Sequence, residues 1–131
     1  MKTPDIEIYV KNAEMSEVAS WLNKHFSGVQ LPNHFEQIFS KGKTIKATIK
    51  NETGISELII TPQAAGKTFG SLWFKNNITQ WNNDEECALS LLEDSDTEIR
   101  CSASSWTEAE EQDSAQWLLL TRNERKLINW S

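Results

Sequence analysis

Long hydrophobic runs are absent from this sequence, and no segment has the roughly 20 consecutive apolar residues that a membrane-spanning helix needs. The first five residues also lack the apolar segment of a secretory signal peptide. We therefore expect a cytoplasmic protein, in a bacterial-type cytosol, that binds no membrane.

Cysteine is scarce, since Cys87 and Cys101 are the only two among 131 residues. They form neither a metal-binding pair nor a disulfide framework, and His25 and His34 add no close ligand spacing. We therefore predict no metal and no cofactor. A chain of this length buries one core without such cross-links, so we expect a single α+β domain over residues 1–131.

Runs of basic residues are missing too. The 13 Lys and Arg residues are outnumbered by 19 Asp and Glu residues, which gives a formal net charge of −6. Binding to a phosphate backbone draws most of its affinity from clustered Lys and Arg, so no nucleic acid partner is expected. The acidity favours solubility or a basic protein partner.

Period-two alternation marks the strands that the sequence does contain. Residues 6–10, 44–50 and 97–104 alternate apolar and polar side chains, and each range predicts a half-buried strand. The turn residues 51–54 predict a hairpin to a strand at 55–61. Further strands are predicted at 69–75, 117–120 and 127–130, the last two as a closing hairpin in which Trp117 faces Trp130 and Leu119 faces Ile128.

Two helices are predicted between these strands. Apolar residues recur at helical spacing between Asn12, a suitable N-cap, and Gly28, which suits a helix C-terminus. Asn83 followed by Glu86 resembles a capping box and starts the second helix. Residues 29–42 show no clear period. The order predicts a two-layer α+β sandwich, with a mostly antiparallel sheet of six or seven strands and two helices packed on one face.

Residues Thr61–Thr68 follow an apolar strand and end in Gly-Lys-Thr, so they resemble the phosphate-binding loop of P-loop NTPases. That resemblance implies a nucleotide site. The chain departs from the family pattern, because Thr61 replaces the first glycine and Phe69–Phe74 predicts a strand where the motif requires a helix. A motif counts only in its structural context, so we interpret the segment as a loop joining two strands.

Two residues carry chemistry that needs weighing. Asp84 is an acid with a raised pKa if it faces the apolar side of its helix, but acids in a first turn also simply complement the helix dipole. Cys101 is a nucleophile if a histidine lies near it in the fold. Its inward position on an alternating strand indicates an inert buried thiol instead.

The candidate binding site combines tryptophan with paired charge. Trp81 and Trp106 occur in polar loops, whereas the other four tryptophans fit packing positions. Arg100 lies on the outward face of the predicted strand between these loops. We predict that Trp81, Asp84, Arg100 and Trp106 converge at one edge of the domain as an interaction hot spot. The alternative is a surface network that caps the helix and the sheet edge.

These features favour a non-enzymatic protein-interaction module, with an inhibitor or immunity-like role within that class, because a small acidic protein masks a basic site by electrostatic complementarity. The alternative is a small-molecule-binding protein or small enzyme with a pocket between the sheet and the helices, centred on Asp84 or Cys101. A third hypothesis is a homodimer through the hairpin from Trp117 to Trp130, whose two apolar faces both need cover.

Overall fold

The computed structural model describes residues 3–102 and 116–129. In chain order its elements are β1 (Ile6–Lys11), α1 (Met15–His25), β2 (Gly28–Gln30), α2 (Phe35–Ser40), β3 (Ile45–Lys50), β4 (Ile55–Ala65), β5 (Phe69–Phe74), α3 (Asp84–Asp94), β6 (Ile99–Ser102), β7 (Gln116–Leu120) and β8 (Arg125–Asn129). The predicted α+β class is confirmed. The described residues form eight strands rather than six or seven, and three helices rather than two.

All described strands belong to one antiparallel sheet in the order β2-β3-β4-β5-β1-β6-β7-β8. The first strand lies inside the sheet, between β5 and β6. The predicted hairpin of β3 and β4 is confirmed, with Lys50 opposite Ile55 and Ile45 opposite Ile60. Because side chains alternate along a strand, this register directs the buried apolar residues of both strands to one face, namely Ile45, Ala47, Ile49, Leu58 and Ile60.

The core lies between that face of the sheet and the helices. Helices α1 and α3 pack their inward residues on the central strands, and Phe39 of the short α2 packs against the same cluster. The inward helical residues are Met15, Val18, Trp21 and Leu22 in α1, and Cys87, Ala88, Leu91 and Leu92 in α3. The expectation that the helices share one face of the sheet therefore agrees with the packing.

The ends of α1 and the segment that follows differ from the prediction. The residue at the N-cap of α1 is Glu14, not Asn12, because Asn12 is still bonded to the sheet through its N–H and the carbonyl of Thr68 at 2.6 Å. The chain turns at Asn12 with a left-handed φ of 50°, which asparagine tolerates. Gly28 does not end the helix but begins β2.

The closing hairpin of β7 and β8 forms, but its predicted register is wrong by two residues. Trp117 pairs with Ile128 and Leu119 with Lys126. The turn is shorter than predicted, because Leu120 pairs with Arg125 rather than with Leu127. The Thr121 hydroxyl closes it by accepting hydrogen bonds from the N–H groups of Asn123 and Glu124 at 3.1 and 3.0 Å. Trp130 lies outside the described residues, so a dimer through this hairpin stays a prediction.

The capping box of α3 supports one quantitative prediction. The Asn83 side chain accepts a hydrogen bond from the Glu86 N–H at 2.9 Å, and Glu86 in turn accepts from the Asn82 N–H at 2.9 Å. We expect Asn83→Ala to lower the free energy of unfolding by about 1 kcal/mol in urea denaturation, because an amide in the first turn loses its acceptor. Asn83→Asp, which keeps an acceptor, should lose little. Equal losses in both variants would contradict the capping role.

Candidate functional site

Trp81 is buried, contrary to its expected exposure in a polar loop, with 6% of its surface accessible. Its ring stacks on Trp21 at a centroid distance of 5.1 Å and meets the rings of Phe26 and Phe74 at 5.9 and 6.1 Å. The Asn77 side-chain amide donates to the Trp81 carbonyl at 3.0 Å. This bond gives the backbone carbonyl a hydrogen-bond partner while the ring lies in the core. Trp81 therefore has a packing role.

Hydrogen bonds beside this aromatic cluster link α1, α3 and the loop that precedes α3. Trp21 Nε1 donates to Ser90 Oγ at 3.0 Å, and Ser90 Oγ lies 3.2 Å from His25 Nε2. Gln80 Nε2 lies 3.1 Å from His25 Nδ1. His25 therefore bridges Ser90 of α3 and Gln80 of the preceding loop. These contacts fasten α1 to α3 and to that loop.

Asp84 has a backbone role at the start of α3. Its Oδ1 accepts a hydrogen bond from the Glu7 N–H at 3.1 Å, beyond the point where β1 pairs with β6 at Tyr9 and Val10. The pKa of Asp84 is raised to about 6, chiefly by burial and also by the nearby charges of Glu7 and Asp5, against the lowering effect of that hydrogen bond. The carboxylate thus replaces a missing strand partner for β1.

The two cysteines are buried thiols. Cys87 and Cys101 are both 0% exposed, and burial raises the pKa of each thiol well above its usual value, with the charge of Asp84 adding to the effect. A thiol with a raised pKa stays protonated at neutral pH and is a poor nucleophile. The expectation of an inert Cys101 agrees with this environment.

Arg100 lies on the face of the sheet opposite to the helices. Its guanidinium group sits 4.7 Å above the ring of Phe69 and pairs with Glu98 at 2.7 Å. Trp106 lies outside the described residues. Of the predicted site residues, Trp81 and Asp84 share the helical side of the domain, and the structure does not bring Arg100 to them.

The solvent face of α3 combines an apolar side chain with acids. Glu86, Leu89 and Glu93 lie three and four residues apart along one side of the helix, which we call the acidic α3 face. Leu89 is 44% exposed, and beside it a groove of about 340 Å³ runs over Leu92 and Arg122. Sequence reasoning missed Leu89, although the pattern that turns Leu91 and Leu92 inward also turns Leu89 outward.

A cavity of about 370 Å³ opens where the β1–α1 loop, α2 and the β4–β5 hairpin meet. The hairpin contains a bulge here. Thr61 pairs with Ser71 and Ala65 pairs with Phe69, so β4 has two more residues than β5 between these two pairs. We call this space the bulge cavity. Its polar lining includes Asn12, Glu14, Glu36, Ser40, Gln63 and Lys67.

The backbone around the bulge cavity is irregular. Asn12 and Gln63 have left-handed φ values of 50° and 54°, a conformation that asparagine tolerates but that costs glutamine of order 1 kcal/mol or more. At Gly70 an added Cβ would lie 3.3 Å from Phe39 Cζ, so glycine allows α2 to pack closely on β5. Such strain collects at functional sites. Sequence reasoning missed the cavity because its three walls are distant along the chain.

The string that resembles a P-loop forms part of this cavity wall. It lies in the β4–β5 hairpin, and a strand rather than a helix follows it. The interpretation of Thr61–Thr68 as a loop is wrong for most of the segment, because β4 continues to Ala65 and only residues 66–68 connect it to β5. A strand follows as expected, so the helix N-terminus that binds phosphate in that motif is absent after Thr68.

In the part of the chain that the structure describes, no three His, Cys, Asp or Glu side chains come together as a metal site, and no helix has the length and apolar character to cross a membrane. We compared the chain with models of known protein families, with curated protein sequences and with solved structures, and found no significant match to any of them.

Proposed function

We propose that this chain is a non-enzymatic interaction module whose acidic α3 face binds a cationic surface of another protein. The observation that carries the proposal is Leu89, a large apolar side chain left 44% exposed in the middle of a helix that contains five acids and no basic residue. An exposed apolar anchor with a charged rim is the usual composition of an interface. An inhibitor or immunity-like role follows if the partner's basic surface is its active site.

The distribution of charge supports a basic partner. In the described chain two of the five α3 acids pair with a cation, Glu85 with Arg125 at 3.0 Å and Asp94 with Lys24 at 3.1 Å. Asp84 and Glu86 accept hydrogen bonds from backbone N–H groups, which leaves their negative charge uncompensated by a cation. Glu86 and Glu93 flank Leu89 on the solvent side. A local excess of negative charge accelerates encounter with cationic partners and fixes the orientation of docking, and both effects weaken as salt screens the charges.

The size of the surface limits what α3 does alone. Its 11 residues span about 16 Å at 1.5 Å per residue. A stable interface buries roughly 1,200 Å² or more in total. The groove over Leu92 and Arg122 extends the contact area beside the helix. Arg122 donates to the Leu92 carbonyl at 2.8 Å, which ties the β7–β8 turn to the end of α3 beside this groove.

The test compares two matched double variants as baits on a cell extract. Leu89→Ser with Glu93→Lys alters the acidic α3 face, and Ile55→Ser with Glu52→Lys makes the same changes at an exposed hairpin. We expect the wild type and the hairpin variant to retain a basic protein from the extract. In calorimetry, the α3 variant should bind this protein at least about tenfold more weakly. Raised salt should weaken the binding further.

Two results would count against this proposal. If the retained protein binds the α3 variant as tightly as the wild type, the acidic α3 face is not the interface. If binding is insensitive to salt, electrostatic complementarity does not drive it. For the inhibitor role, the purified partner should lose its own activity on binding, and a partner that stays fully active would reject that role while leaving the interaction intact.

A further inference from the structure

We infer that the bulge cavity binds a small zwitterion, a molecule of free amino-acid type with one ammonium and one carboxylate group. This inference is independent of the protein-interaction proposal, because the acidic α3 face contributes no residue to the cavity. The volume of about 370 Å³ falls within the range of small-molecule sites, toward the small end. The ligand is therefore of metabolite size.

The shape of the cavity is built by features that the sheet itself does not need. A regular hairpin would pair β4 and β5 without the two extra residues of the bulge. The bulge carries the left-handed Gln63 into the wall, while the left-handed Asn12 bends the opposite wall. Two of the three non-glycine residues with positive φ in the described chain thus line this one cavity. Strained backbone held in a concave place points to a ligand site.

The charges in the wall select the ligand class. The exposed Lys67 supplies one positive charge, and the exposed Glu14 and Glu36 supply two negative charges. A polyanion such as a nucleotide would meet more repulsion than attraction here, although Lys67 belongs to the string that resembles a phosphate-binding loop. A zwitterion places its carboxylate at Lys67 and its ammonium at the glutamates. Each charge on the ligand then has an opposite charge in the wall.

The neutral lining fits the rest of such a molecule. Ser40, Asn12 and Gln63 offer hydroxyl and amide groups that donate or accept hydrogen bonds. Phe39 and Pro62 add apolar surface for a short side chain.

The test is a titration of the full chain, followed by amide chemical shifts in NMR. The probes are the common amino acids in pools at about 10 mM, simple alkylamines, simple carboxylates and ATP. We expect at least one amino acid to shift the amides of Asn12, Gln63 and Lys67, with a Kd of about 1 mM or tighter. The amines and carboxylates, which each carry half of the ligand's charges, should bind at least about tenfold more weakly.

Matched variants show whether the charges act as inferred. Glu36→Gln and Lys67→Gln should each weaken amino-acid binding about tenfold or more, whereas Glu52→Gln and Lys46→Gln, equally exposed but not in the cavity lining, should leave it unchanged. The inference is overturned if no amino acid moves the cavity amides. It is also overturned if ATP, a simple carboxylate or a simple alkylamine binds as tightly as the best amino acid, because the site would then recognise one charge rather than a zwitterion.

Discussion

Trp81→Ala is expected to lower the free energy of unfolding by about 3–5 kcal/mol, as for other buried tryptophans truncated to alanine. The ring is 6% exposed and lies among Trp21, Phe26 and Phe74, so its removal leaves a cavity that these rigid rings fill only in part. Urea denaturation followed by circular dichroism measures the effect. The total free energy of unfolding of a domain is only about 5–15 kcal/mol, so the variant should begin to unfold at moderate temperature.

Two further variants keep this prediction testable if Trp81→Ala fails to fold. Trp81→Phe retains a ring in the cluster and should lose about 1–2 kcal/mol. Trp73→Ala removes a partly exposed tryptophan on the other face of the sheet, where it donates to Asp5 at 3.2 Å, and should lose about 1 kcal/mol. If Trp81→Ala costs no more than Trp73→Ala, Trp81 is not a core residue and returns as a candidate for the binding surface.

The contrast between these two tryptophans shows what local sequence pattern misses. Trp81 stands between Gln80 and Asn82, and polar neighbours predict an exposed loop. The loop instead satisfies its own backbone, since Asn77 donates to the Trp81 carbonyl and the Thr79 hydroxyl accepts from the Trp81 N–H at 3.2 Å. A polar loop with internal partners delivers an aromatic ring to the core without leaving buried groups unpaired.

The strands were predictable where one face is buried and the other is not. Ile45 and Ile60 pair as expected, because the turn at Asn51 and the burial pattern require the same register. The register of β7 and β8 was not predictable in this way. Leu118, Leu119 and Leu120 are consecutive apolar residues, so their pattern does not distinguish the two faces, and the turn is set by the Thr121 hydroxyl.

The helix α2 was not predictable because tertiary contact forms it. It has six residues, and no side chain caps its start at His34, which adopts a left-handed conformation. A helix this short is unstable in isolation. Phe39 holds it in place against β5, where Gly70 provides the space. The walls of the bulge cavity depend on this packing, so the cavity was invisible to any local pattern as well.

Asp84→Asn is expected to raise the free energy of unfolding at pH 7 by about 2 kcal/mol. Burial raises the pKa of Asp84 from 3.8 to about 6, and a difference of about 2 pKa units costs the ionised form roughly 3 kcal/mol in the folded state. The helix dipole at this N-terminal position stabilises the charged form by about 0.3–1 kcal/mol. Desolvation is the larger effect. Asparagine removes the charge and keeps an oxygen to accept the Glu7 N–H.

The same pKa fixes the pH range of the effect. A carboxyl group with a raised folded-state pKa binds its proton more tightly when folded, so its contribution to stability is complete below about pH 4 and is lost as the pH rises through about 6. The advantage of Asp84→Asn should therefore shrink from about 2 kcal/mol at pH 7 toward zero or below near pH 4. Urea denaturation of both proteins across this range measures the difference directly.

Two comparisons separate burial of the charge from the loss of a hydrogen bond. Asp84→Ala also removes the charge but leaves the Glu7 N–H without its acceptor, so it should be about 1–3 kcal/mol less stable than Asp84→Asn. Glu85→Gln, one residue along the same turn, loses an ion pair with Arg125 and should lower stability slightly. If Asp84→Asn instead destabilises the protein at pH 7, the ionised carboxylate is favourable where it lies. Asp84 would then act as a solvated helix cap rather than as a buried partner of β1.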